Sequence, residues 1–359
     1  MQHYEERLER DEAEIRDGTQ QVAGLVETAL RNAVHALLAG DRALANKTVL
    51  GDGEINRAVR ALDYRSQAFI VRHLPSSGHL RLMSATIRAG IALERIGDYA
   101  VNISRVAIQL SAPPGSSLGR SADLMADQAI SMLHDAIEAF GAGNAEKAKG
   151  IMARAEHIGQ ELSNVLADLT DEQGSRNMKD LFALFVVFST LERVSDQAKN
   201  ICEEAVFAVT GQTKPPKVYQ VLFLDRENSC LGPMAEAVAR KNFPNSGEYR
   251  SEGAKPAGQL DSSMKAFLEE RGYDLSGVAP KPFSETPGEL EDYHVIVSLQ
   301  GPVTDYVEEI PFHTVTLEWN LGDAPCAGGP GEAGLEAAFR EISLQVRDLL
   351  ERLHGEGAD

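Results

Sequence analysis

LERIGDYAVNI, from Leu93 to Ile103, recurs as LERVSDQAKNI, from Leu191 to Ile201. Glu94 matches Glu192, Arg95 matches Arg193, Asp98 matches Asp196 and Asn102 matches Asn200. The acidic and amide positions recur every fourth residue, which places them on one face of a helix. Each copy closes a long apolar-periodic segment without proline. Two such faces roughly a hundred residues apart indicate a duplicated helical unit.

Working outward, six helices are expected. The first covers residues 4–39, where Val22, Leu25, Val26, Ala29, Leu30, Ala33, Val34 and Leu37 keep helical spacing. Gly40 supplies its stop and Asp41 an N-cap for the second, over 42–73, with Gly51 and Gly53 as weak points inside it. Pro75–Gly78 breaks the chain before a third helix over 80–109. After the linker at Pro113–Ser117 the pattern restarts, with helices over 122–140, 145–169 and 177–209. The expected first part is two three-helix units, residues 1–112 and 118–210, each with its own coiled-coil-like core.

GQTKPPK, residues 211–217, is a short polar linker. Beyond it the periodicity changes. Apolar runs at 218–224, 295–299 and 313–317 alternate with helical segments near 233, 261–271, 302–309 and 334–353. That alternation predicts a small parallel α/β sheet over residues 218–359. The fold class expected for the whole chain is multidomain, α and α/β.

Composition bounds the function. The formal net charge of −19 disfavours broad binding to nucleic-acid phosphates. The N-terminal stretch is charged, without the apolar core of a signal peptide. No apolar run approaches the ~20 residues that span a bilayer. Only Cys202, Cys230 and Cys326 are present, which makes no disulfide framework and points to a reducing cytoplasm. The sequence leaves the oligomeric state open, a homodimer among the options.

The paired ERxxDxxxNI motifs and GDGEIN, residues 51–56, resemble the PhoU family of phosphate-signalling regulators, over about residues 5–210. The resemblance implies divalent or iron-type metal ions held by acidic motifs on each unit. Glu94, Asp98 and Asn102 would serve with Asp52 and Asn56 in the first, and Glu192, Asp196 and Asn200 in the second. Hard cations favour such oxygen donors. The competing reading is a solvated helix face whose carboxylates pair with Arg95, Arg193 or Lys199. The second unit is the poorer candidate, because ARAEHIG, residues 153–159, leaves only Glu156 and His157 opposite the motif. The resemblance also implies a phosphate transporter ATPase or a phosphate sensor kinase as partner.

LFLDRENSCLGPMAEAVAR, SEGAKPAG, GYDLSGVAPKPF and EWNLGDAP resemble the low-molecular-weight tyrosine phosphatase and arsenate reductase superfamily, over about residues 218–355. That superfamily implies a four-stranded parallel sheet with a C-x5-R loop after its first strand. Its thiolate attacks phosphorus, its arginine clamps the equatorial oxygens, and its backbone amides cradle the oxyanion. Here Asp225 stands at the nucleophile position, Leu231 at the arginine position and Gly232 at the following hydroxyl position. Asn228 matches the loop-shaping residue, Cys230 a second, non-nucleophilic cysteine, and Asp323 lies near the general acid. No catalytic residue by that mechanism is expected.

The reading is a regulator of phosphate uptake or signalling with a catalytically inactive module for oxyanion sensing or partner docking. The alternatives are a metal-dependent phosphatase or arsenate reductase with Asp225 as carboxylate nucleophile, a cation or cationic side chain held between Asp225 and Asp323, and a metal-binding protein.

Overall fold

A computed structural model describes residues 2–154, 177–214, 217–283, 290–325 and 331–355. The chain divides into two compact units, Met1–Lys214 and Pro215–Asp359.

The first unit is helical. Its elements are α1 (Gln2–Ala39), α2 (Arg42–His73), α3 (Ser77–Gln109), α4 (Ser116–Gly141) and α5 (Met178–Thr210), with residues 145–154 also helical. The chain's own capping chemistry sets the ends. Gly40 turns with φ +67° after α1, and the Asp41 carboxylate accepts the Leu44 amide to start α2. Asn177 caps α5 at the Asp180 amide, and Gly211 ends it in the left-handed region. Such a cap contributes about 1 kcal/mol. Gly51 and Gly53 do not interrupt α2. Packing on α1 and α3 overrides the ~1 kcal/mol propensity cost of each glycine.

The sequence suggests a separate core for each repeat, but the two repeats share one. Leu30, Phe69, Leu93, Leu133, Phe188 and Ile201 belong to one buried cluster drawn from α1 to α5. Apolar residues circle α3 far enough to meet both α2 and α5, so the two stripes merge. Beyond residue 154 the expected fifth helix lies outside the described residues.

The second unit contains β1 (Tyr219–Asp225), α6 (Leu231–Asn242), β2 (Gly247–Gly253), α7 (Ser262–Glu270), β3 (Val295–Ser298), β4 (Val315–Glu318) and α8 (Glu332–His354). The sheet is parallel throughout, in the order β2-β1-β3-β4. β1 and β3 are buried on both faces, the reason they read as continuous apolar runs. Val221 and Phe223 face one core cluster, and Leu222 and Leu224 face another.

Two expectations change here. GEYRSEG forms β2, which no apolar run marks, because Glu248 and Arg250 alternate outward on an edge strand. The helix expected over 302–309 is only a single 3-10 turn, Val303–Asp305. No described helix is long and apolar enough to cross a membrane.

Candidate functional site

β1 has β2 on one side and β3 on the other, so chain direction across the sheet reverses at β1. The loop leaving its C-terminal end occupies the crevice where such sheets bind ligands. That loop, residues 225–232, is pinned from outside through its carbonyls. Ala254 donates to the Asp225 carbonyl, Lys255 to Arg226, Ala257 to Glu227 and Asp261 to Ser229. Gly253 permits this close approach, since a Cβ there would stand 2.8 Å from the Asn228 nitrogen.

The Asp225 side chain turns inward and is 3% exposed. One carboxylate oxygen accepts the Asn228 amide at 2.6 Å, and the other accepts the Gly232 amide at 2.8 Å. Burial pushes its pKa up to about 6, against the pull of the two amides and with a further push from Glu227. Asn228 is held at φ 48°, and its side-chain oxygen accepts the Lys281 amide at 2.9 Å. Its Nδ2 is buried without a partner.

Leu231 is fully buried in the apolar cluster, so its side chain serves packing. Arg226 is held at both ends. Its amide donates to the Gln300 side chain at 3.2 Å, and its guanidinium pairs with Asp323 at 3.2 Å on the surface. Gln300 in turn donates to the Gly322 carbonyl. Asp225 and Asp323 therefore do not form the carboxylate pair weighed from the sequence: one is buried against amides, and the other is ion-paired outside.

Above the loop opens a cleft of about 960 Å3, lined in part by Glu227, Trp319, Leu321, Asp323 and Glu341. Trp319 packs on Phe223 at 5.7 Å. Lys255 and Lys281 contribute backbone amides to the loop; they are not among the cleft-lining residues. Cys230 is buried and disulfide-bonded, which departs from the expectation of free cysteines. Cys202, in the helical unit, is buried with its thiol pushed up to about 12, an inert packing residue. His294 accepts the Gln220 amide and is a packing residue, while Glu156, His157 and Cys326 lie outside the described residues.

Sequence reasoning read Gly232 only as a lost hydroxyl, and it missed Gly253 and Gln300. The available signal was paired change: an acid larger than cysteine at 225 beside a residue without a side chain at 232.

In the helical unit the motif residues divide. A Cβ on Gly97 would stand 3.2 Å from Ile55, so the bare glycine lets α3 approach α2 there. That approach brings Asp98 near Asp52. Asp98 is exposed, and its partial desolvation and then Asp52 push the carboxyl above its ordinary range. Asp52 accepts the Asn56 side-chain amide at 2.8 Å, and Asp52 Oδ1 and Asn56 Oδ1 are buried without partners. Unpartnered oxygens beside two like charges suit a hard cation. Asn102 is exposed, and Glu94 is half-buried. In the second copy, partial desolvation raises half-buried Glu192 and exposed Asp196, and Asn200 donates to Gln197. Among the described residues, no three His, Cys, Asp or Glu side chains converge as a complete ligand set.

Comparison with known proteins gives the two units separate relatives. A PhoU domain model matches residues 19–107 and 122–205. A low molecular weight phosphotyrosine protein phosphatase model matches residues 220–357. The phosphate-specific transport system accessory protein PhoU of Edwardsiella tarda is 30% identical over 200 residues, 55% of this chain and 82% of that protein. A PhoU homolog from Pseudomonas putida is also 30% identical, over 58% of this chain and 83% of its own length. The crystal structure of PhoU from Pseudomonas aeruginosa, 28% identical, superposes with a TM-score of 0.53 over 57% of this chain and 99% of that one. The chain belongs to the PhoU family, and a low-molecular-weight phosphatase domain follows its helical unit.

Proposed function

We propose that this protein regulates phosphate-specific transport, with the helical unit as scaffold and the phosphatase-like unit as a docking module without catalysis. The carrying observation is the family relationship over the helical unit to proteins named as accessory to that transport system. The partner is a transporter ATPase or a phosphate sensor kinase, met on the cytoplasmic side.

The loop chemistry supports the non-catalytic part. A carboxylate nucleophile must be within reach of phosphorus. Asp225 is 3% exposed with each oxygen turned to a backbone amide, and Leu231 cannot neutralise a transferring phosphoryl group. A cation such as iron, manganese or magnesium at Asp52, Asn56 and Asp98 would complete the scaffold's first repeat. The unpartnered oxygens there support that part of the reading.

The test is co-purification with the full chain as bait. Recovery of the transporter ATPase or the sensor kinase is the expected result. Recovery of neither contradicts the regulatory reading.

A further inference from the structure

We infer that the oxyanion cradle of the loop at residues 225–232 is filled by the chain's own anion, the Asp225 carboxylate, so that the native loop takes no free oxyanion. This goes beyond loss of catalysis. A loop that lacks a nucleophile could still bind phosphate through its amides, whereas a loop already holding a carboxylate cannot.

The geometry is that of a bound anion. The amides of Asn228 and Gly232, the second in the first turn of α6, each meet a different Asp225 oxygen, at 2.6 and 2.8 Å. Such convergent amides make an anion-binding concavity. Here the anion arrives covalently attached through β1.

The surroundings are shaped to the carboxylate. A Cβ on Gly232 would stand 3.2 Å from one Asp225 oxygen and 3.3 Å from the carboxyl carbon. The bare residue at 232 thus leaves room beside the bulkier acid at 225. The same Cβ position lies 2.8 Å from Asn228 Nδ2, the fully buried donor without a partner. A third N–H group, besides the two backbone amides, therefore lies beside the same space. The balancing cation expected for a free phosphate is gone: Leu231 is in the core, and Arg226 turns to Asp323. A second anion would meet a buried negative charge held only by dipoles.

The experiment reads the loop directly. Full-length protein labelled with 15N-glycine is titrated with sodium phosphate and sodium sulfate, with sodium chloride as the ionic-strength control, and the Gly232 amide is followed. Wild type is expected to show no saturable shift at Gly232. Asp225→Ala, with the cradle vacated, is expected to show a saturable shift and binding at least about tenfold tighter than any in wild type. A saturable Gly232 shift in wild type overturns the inference, as does a folded Asp225→Ala protein whose Gly232 amide ignores both anions. Asp225→Ser, which keeps one acceptor oxygen, is the second variant should the alanine form not fold. A saturable Gly232 shift in wild type overturns the inference whichever variant folds, and Asp225→Ser is then expected to show the saturable shift that wild type lacks, its absence overturning the inference likewise. Partner recovery plays no part in the readout, so this inference and the regulatory reading fail separately.

Discussion

The Gly232 amide donates to Asp225 at 2.8 Å, and the missing side chain of Gly232 leaves room for the carboxylate that receives it. One residue supplies both the hydrogen bond and the space. Gly232→Ala should therefore force apart a buried acid and its donors, at a cost of about 1–3 kcal/mol, as overpacking typically does. Urea unfolding of the full chain checks this. A midpoint unchanged from wild type would mean that the loop absorbs the methyl group.

Asp225 also predicts a pH dependence. Its folded pKa is raised by burial from the ordinary 3.8 to about 6, so the native carboxyl is protonated below about pH 6 and is the bound anion above it. Its stabilising contribution is fully present below about pH 4 and is lost as pH rises through about 6. The span corresponds to roughly 3 kcal/mol between the two limits. Glu227 and Tyr306 are the titratable groups coupled to it, and Arg226 is the nearby cation. Denaturation measured from pH 4 to 8 on wild type and Asp225→Ala should give a difference curve with that sign and window. A flat difference would contradict the burial argument.

The opposite sign is expected at Asp11. Its hydrogen bond to His73 and its pairing with Arg72 hold its carboxyl below the ordinary range. That stability is present above about pH 4 and is lost as pH falls further. At neutral pH, Asp11→Ala removes the partner of a buried imidazole nitrogen, 2.9 Å away, at a cost of about 1–3 kcal/mol. Unfolding midpoints at neutral and acid pH should differ accordingly between variant and wild type.

The two motif copies should behave unequally towards metal. Asp52→Ala or Asp98→Asn should remove most of any iron or manganese retained after loading and desalting. Asp196→Asn should remove less. Elemental analysis of the full chain measures this, and equal retention in all three variants would contradict the assignment of Asp52, Asn56 and Asp98.

What was legible in the sequence follows from the physics of each element. Long apolar stripes with Gly40, Asp41 and Gly211 at their ends made the helices readable. The single merged core was not, because periodicity shows which face is buried but not what buries it. β2 escaped because an edge strand with Glu248 and Arg250 outward carries no apolar run. At the loop, the losses at 225 and 231 were plain from residue types. Yet Asp225 was read as a charge that would repel an oxyanion, when its neighbours hold it as one. That distinction depends on where the Asn228 and Gly232 amides point, which is a property of the folded loop.

The central claim is that a phosphatase fold has been retained without its chemistry. The most direct measurement is turnover of a generic phosphate monoester by the full chain, with and without added manganese or magnesium, beside Asp225→Asn. The expected result is no turnover by wild type under either condition. Metal-dependent turnover that Asp225→Asn abolishes would contradict it.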